Sequence, residues 1–158
     1  MRRLFINIVI FSTLLLNSTY VWCTDIDTII NQKQAPPGVV FEIVSDESGL
    51  LDKLLPAVKN DIERLRKRFP KLPVAIVTHG TEQFALMIKN KTRDNKTHAL
   101  VEQLVDADEV DVHVCGTHAE WYGLSPEDFP DYVDVAAAGP AQINDYEAMG
   151  YELIILTE

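Results

Sequence analysis

The sequence predicts an α/β fold, a three-layer sandwich in which a mainly parallel five-stranded sheet lies between helices. Three observations lead there. Short, β-branched apolar runs of strand length recur along the chain, segments with apolar residues at spacings of three and four lie between them, and Gly or Pro marks the joints. Strands alternating with helices form βαβ units, whose crossovers return each strand parallel to the last. A length of 158 residues suits one domain, and 47% hydrophobic with 24% charged residues is a globular balance, which excludes disorder and a disulfide-packed miniprotein.

The elements follow in order. Residues 24–38 contain Gln32-Lys33-Gln34-Ala35-Pro36-Pro37-Gly38 and no sustained apolar period, so they are expected to form an extended lead-in ending in a turn. The single domain then occupies residues 39–158. Val39–Val44 reads as a buried strand, and Ser48-Gly49 opens a helix whose stripe is Leu51, Leu54, Leu55, Val58, Ile62, Leu65 and Phe69. Pro56 either kinks this helix or marks its true first turn. Lys59, Arg64, Arg66, Lys67 and Arg68, opposite the stripe, are expected to form a solvated basic face. Pro73–Thr78 is a second strand ending in His79-Gly80. Thr81–Ile88 follows neither period cleanly and its state stays open, and Lys89–Lys96 reads as a polar loop. His98–Ala107 reads as a helix, and Val110, Val112 and Val114 alternate with Asp111, His113 and Cys115 along a third strand. Pro126–Pro130 is a loop or short helix, Val133–Ala136 a fourth strand, Pro140–Met149 a helix stopped by Gly150, and Tyr151–Leu156 the fifth strand.

The formal net charge is −10, and every Lys and Arg lies at or before Lys96. Residues 97–158 therefore carry only carboxylates. That distribution argues against attraction to nucleic acid or to an anionic membrane surface and reads as a solubilising acidic face. At the other end, Arg2 and Arg3 precede the apolar run Leu4–Leu16, which is too short to cross a hydrocarbon core of about 30 Å as a helix. A polar stretch follows it. This is the layout of a secretory signal peptide over residues 1–23, cut between Cys23 and Thr24. Bulky Val21 and Trp22 stand where a lipid-attachment motif needs small residues. The expected product is periplasmic or secreted, with no stable membrane insertion after processing and with Cys115 as its only thiol.

In parallel α/β sheets functional groups gather where strands end and helices begin. That rule selects His79-Gly80 and Cys115-Gly116. Cys115 ends its strand, Gly116 permits a sharp turn, and Thr117-His118-Ala119-Glu120-Trp121 is expected to start a helix, whose N-terminal dipole favours the thiolate. His79 and His118 are expected to orient the turn or shuttle protons. His113, Cys115 and His118 also place three borderline or soft ligands within six residues, so a copper or zinc site is a minor alternative. The absence of a Gly-rich phosphate loop, a Cys-x-x-Cys pair and a Ser nucleophile elbow argues against nucleotide hydrolysis, dithiol exchange and α/β-hydrolase chemistry.

Five short motifs occur in a characteristic order: Val77-Thr78-His79-Gly80, Cys115-Gly116-Thr117, Gly123-Leu124 with Glu127-Asp128, Ala138-Gly139-Pro140, and Gly150-Tyr151. Together, over residues 39–158, they resemble the DsrE/DsrF-like family. The resemblance implies a compact DsrE-like α/β sandwich that assembles as a trimer or hexamer. It also implies a sulfur-relay role, with sulfur carried as a persulfide on the cysteine after the third strand, here Cys115, supported by Gly116, Thr117, His79, Gly80 and His118. No metal or organic cofactor is needed for that chemistry, and the partner is a sulfur donor or acceptor protein or a small sulfur compound. A sulfurtransferase-like activity would follow. The alternative on the same fold is a non-catalytic binding or assembly module in which Cys115 is incidental.

Overall fold

The computed structural model describes residues 25–157. The signal peptide expected over residues 1–23 lies outside them. Five strands form one sheet, every neighbouring pair parallel, in the order β4-β3-β2-β1-β5: β1 Val39–Ile43, β2 Val74–Thr78, β3 Val110–Cys115, β4 Asp134–Ala136 and β5 Glu152–Leu156. From β1 to β4 each strand is laid beside the last in one direction, so right-handed crossovers place their helices on one face. The chain then reverses to reach the far side of β1, which puts the last crossover helix on the other face. The helices are α1 Ile26–Ile30, α2 Leu50–Arg68, α3 Asn95–Asp106, α4 Gly116–Trp121 and α5 Gly139–Ala148. This is the three-layer arrangement the sequence predicts.

The two faces differ in how they are covered. Register aligns Ile154, Phe41, Ile76 and Val112 across four strands, and α2 and α3 bury Leu51, Leu55, Val58, Ile62, Leu65, Val101 and Leu104 over that row. Each such side chain contributes about 1.5–3 kcal/mol when fully buried, so this side holds the fold together. On the opposite face Val40, Ala75 and Val77 meet Ile143 and Tyr146 of α5, with Tyr151 and Leu153 packed against them. One ten-residue helix covers that side. Polar groups therefore survive on it: Glu42 and His113 stand in one register row with Val77 and Asp134.

Four expectations need correction or resolution. The lead-in is not wholly extended, because Ile26–Ile30 forms α1, with Ile26 and Ile29 buried in the main core. Two apolar residues three apart are too few to register as a period. Pro56 is interior to α2, not in its first turn, and sits on the exposed side. The open segment is a 3₁₀ helix over Thr81–Leu86, whose tight turn matches neither the helical nor the strand period. The basic face is only partly solvated. Arg66 donates to the carbonyls of Leu72 (3.1 Å) and Asp108, Arg64 bridges Asp61 and Asp27, and Arg68 donates to Gln32 O at 3.0 Å, tying α2 to the segments around it.

Candidate functional site

The C-terminal ends of β1, β2 and β3 are bound together by two consecutive polar side chains of the 3₁₀ helix. Glu82 is fully buried. Its Oε1 accepts from Gly80 N–H (2.9 Å) and from the Thr78 hydroxyl (2.5 Å), and its Oε2 accepts from Ser45 N–H (2.9 Å). One carboxylate thus joins the loop after β1 to the end of β2. Gly80 has no room for a side chain, because a Cβ there would overlap the Ser45 backbone and the Glu82 carboxylate.

Gln83, also fully buried, serves β3 in the same way. Its Oε1 accepts the backbone N–H of Cys115 at 2.7 Å, and its Nε2 lies 3.0 Å from His118 Nδ1. Cys115 caps α4, and its Sγ accepts the backbone N–H of His118 at 3.4 Å. The turn is pinned on its far side. A Cβ on Gly116 would lie 3.0 Å from Ala136 O, and Thr117 donates to Ala137 O through both its N–H (3.0 Å) and its hydroxyl (2.7 Å). Gly116 and Thr117 therefore lock α4 onto the end of β4.

The thiol itself is covered. Cys115 is only 4% exposed, and the first residue of α5, Gly139, lies over it. A methyl added at Gly139 would sit 2.5 Å from His79 Cβ and 3.4 Å from Cys115 Cβ, so the two side chains border one gap that only glycine can close. His79 is held from the other side, its Nε2 2.7 Å from Glu42 Oε1. Among the described residues neither the His79 nor the His118 ring hydrogen-bonds the thiol.

Further along the same sheet face His113 Nε2 lies 2.8 Å from Tyr146 Oη of α5, and the tyrosine reaches Asp111 at 3.5 Å. Burial pushes His113 below its ordinary value, against the opposing pull of Asp134 and Asp111, and burial likewise pushes the Tyr146 phenol up. The structure does not bring the suggested metal ligands together. Among the described residues no three His, Cys, Asp or Glu side chains converge as ligands, and His113 is engaged by α5 while His118 faces Gln83. Outside the turn, His118 packs with Phe84, Trp121 and Tyr122 at centroid distances of 5.3–5.6 Å, and Trp121 and Tyr122 are 76% and 58% exposed. An aromatic surface thus borders the His118 ring.

All the residues expected at the site (Cys115, Gly116, Thr117, His79, Gly80 and His118) lie at this edge of the sheet. Sequence reasoning missed Glu82, Gln83 and Glu42. Two long polar residues directly after a strand-ending His-Gly were the available signal for the first two; Glu42 pairs with His79 only through strand register.

The fold and edge define a class: all-parallel α/β sandwiches with a cysteine where the third strand turns into a helix. Similar solved structures agree on the fold. MTH1491 from Methanobacterium thermoautotrophicum, described as a protein of unknown function, aligns with a TM-score of 0.57 at 20% identity over 75% of this chain and 97% of its own. The ychN protein from E. coli aligns with a TM-score of 0.54 at 14% identity over 75% of this chain and 99% of its own. Both have the DsrE/DsrF-like fold, and this chain shares it. No family model matches the chain, and no curated protein matches it significantly.

Proposed function

We propose that this protein is a sulfur carrier that holds a persulfide on Cys115, exported and assembled from copies of itself. The observation that supports the reading best is the double hold on that residue: Gln83 fixes its backbone, and the His118 N–H points at its sulfur. The backbone donor holds the sulfur in a fixed position, and the thiolate is the nucleophile. In the reaction the Cys115 thiolate attacks the outer sulfur of a donor persulfide, RS–SH. A sulfur–sulfur bond forms to Cys115 as the RS–S bond breaks, and RS⁻ departs with the electron pair. Sulfane sulfur changes hands with no net oxidation. Return to an acceptor thiolate is the same exchange in reverse.

Burial requires that α5 yield at Gly139 for sulfur to enter. The non-catalytic reading rests on that same burial and on the exposed Trp121 and Tyr122, which suit a binding surface. The two readings part in one experiment. The processed chain, residues 24–158, whose only thiol is Cys115, is expected on incubation with polysulfide to gain ~32 Da, one sulfur atom, in a form cyanide removes and Cys115→Ser abolishes. Iodoacetamide is expected to alkylate Cys115 in the folded protein. A thiol that alkylates only once the protein unfolds and never gains cyanide-labile sulfur would leave the binding module standing.

A further inference from the structure

We propose that the groove between the N-terminal halves of α2 and α3 binds a free α-amino acid with an aliphatic side chain. Two cavities, of about 260 and 320 Å³, make up the groove and share Asp52, Lys96 and Thr97. The polar end is built on the start of α3, a helix of twelve residues. Asp94 stands at the N-cap but does not cap it, because its carboxylate is turned to Arg93, whose Nη2 lies 2.8 Å from Oδ2. The N–H groups of Asn95, Lys96 and Thr97 have no hydrogen-bond partner among the described residues, which makes this helix end a seat for a carboxylate. Thr97 is an independent sign of a ligand. It is only 3% exposed, yet its hydroxyl has no hydrogen-bond partner among the described residues, where buried hydroxyls are as a rule paired. Nor is that hydroxyl sealed in, since Asp108 Oδ2 is the one fully covered side-chain polar atom without a hydrogen bond among the described residues. It opens on the groove that Thr97 lines.

Asp52 decides the class of ligand. It lies in the first turn of α2, exposed, with no hydrogen bond or ion pair among the described residues, and Lys96 has none either. A carboxylate across the groove repels a simple organic acid and attracts one that carries an ammonium group beside its own carboxylate. Arg93 offsets Asp94 and Lys96 offsets Asp52, so the groove as a whole suits a ligand with no net charge. Its other end is apolar. Leu51 and Leu55 of α2, both buried, face Leu100 of α3 there and leave room for an aliphatic side chain. Carboxylate on the α3 N-terminus and Thr97, ammonium on Asp52 and side chain on the leucines together describe a zwitterionic amino acid. This groove is on the sheet face opposite α5, so it stands whether or not Cys115 carries sulfur.

Titration of ¹⁵N-labelled full-length protein with L-leucine, followed by amide NMR, locates and weighs the binding in one measurement. The Asn95, Lys96 and Thr97 signals are expected to move saturably; no saturable shift, or one confined to other residues, would overturn the proposal. 4-Methylpentanoate keeps the side chain and carboxylate without the ammonium group, and glycine keeps both charges without the side chain. Each is expected to bind about tenfold more weakly or worse, and equal affinity for either would overturn the proposal. Asp52→Asn, a change on an exposed helix face, is expected to weaken L-leucine about tenfold and to leave 4-methylpentanoate no weaker. Equal losses for the two ligands, or none for L-leucine, would refute the ammonium seat and the proposal with it. Thr97→Val keeps the shape and removes the hydroxyl, so L-leucine is expected to bind about tenfold more weakly while the urea midpoint stays the same or rises, because no hydrogen bond within the protein is lost. Unchanged affinity, or a lowered midpoint that marks the hydroxyl as structural, would overturn the reading of Thr97 on which the site depends.

Discussion

Replacing Glu82 tests whether one buried carboxylate binds the loop after β1 to the end of β2. It accepts three hydrogen bonds, two of them from backbone N–H groups. In Glu82→Gln the new amide oxygen can keep the Gly80 and Thr78 contacts, which share one oxygen, but the amide nitrogen then meets Ser45 N–H donor to donor. Leaving one such donor unmatched costs about 1–3 kcal/mol. Glu82→Ala strands both backbone donors and is expected to cost about 2–6 kcal/mol. Urea unfolding followed by fluorescence reads both as shifts in midpoint at constant slope. Glu63→Gln provides the contrast, because Glu63 only pairs with Lys59 on an exposed helix face, and a change within about 0.5 kcal/mol is expected. A Glu82→Gln protein as stable as Glu63→Gln would refute the assignment of Glu82 as the tie between the two strand ends.

Three further outcomes follow. Gly139→Ala is expected to push the start of α5 off the sheet, costing about 1–3 kcal/mol by overpacking and speeding alkylation of Cys115; an unchanged alkylation rate would show that α5 does not gate the thiol. His98 and His113 are both pushed down by burial, so the folded state favours their neutral forms. Their contribution is complete above the unfolded histidine value of about 6.5 and is lost as pH falls through the folded values, with a slope of at most about 1.4 kcal/mol per pH unit for each ring. Tyr146→Phe, which removes the phenol 2.8 Å from His113, is expected to cost about 1 kcal/mol at pH 8, read by thermal unfolding across a pH series.

The sheet was legible because its strands are continuous apolar runs bounded by turn residues, and a parallel sheet covered on both faces requires that pattern. Cys115 was legible for a related reason: a residue where a strand meets a helix is placed by topology alone. The hold on it was not. Gln83 lies in a 3₁₀ helix that no period announces, and it meets Cys115 across 32 positions of sequence. Glu42 faces His79 across 37 positions because β1 and β2 pair in one register, and a slip of one residue would turn Glu42 to the opposite face. The thiol's burial was equally hidden, since it depends on where α5 begins after the chain reverses direction.

That reversal also governs how the molecule comes into being. β1, near the start of the described chain, stays an edge strand until β5 pairs with it, Val39 against Glu152. During synthesis, β1 to β4 and the helices between them emerge first, with the Val40 face of the sheet bare and the Cys115 thiol uncovered. The helix that hides the thiol and the strand that closes the sheet follow only after β4, and at about 5–20 residues per second residues 139–156 take about 1–4 s to be made. A nascent chain is therefore chemically open at its cysteine before the finished protein is, and any sulfur, oxidant or partner that meets it in that interval meets a site with no cover.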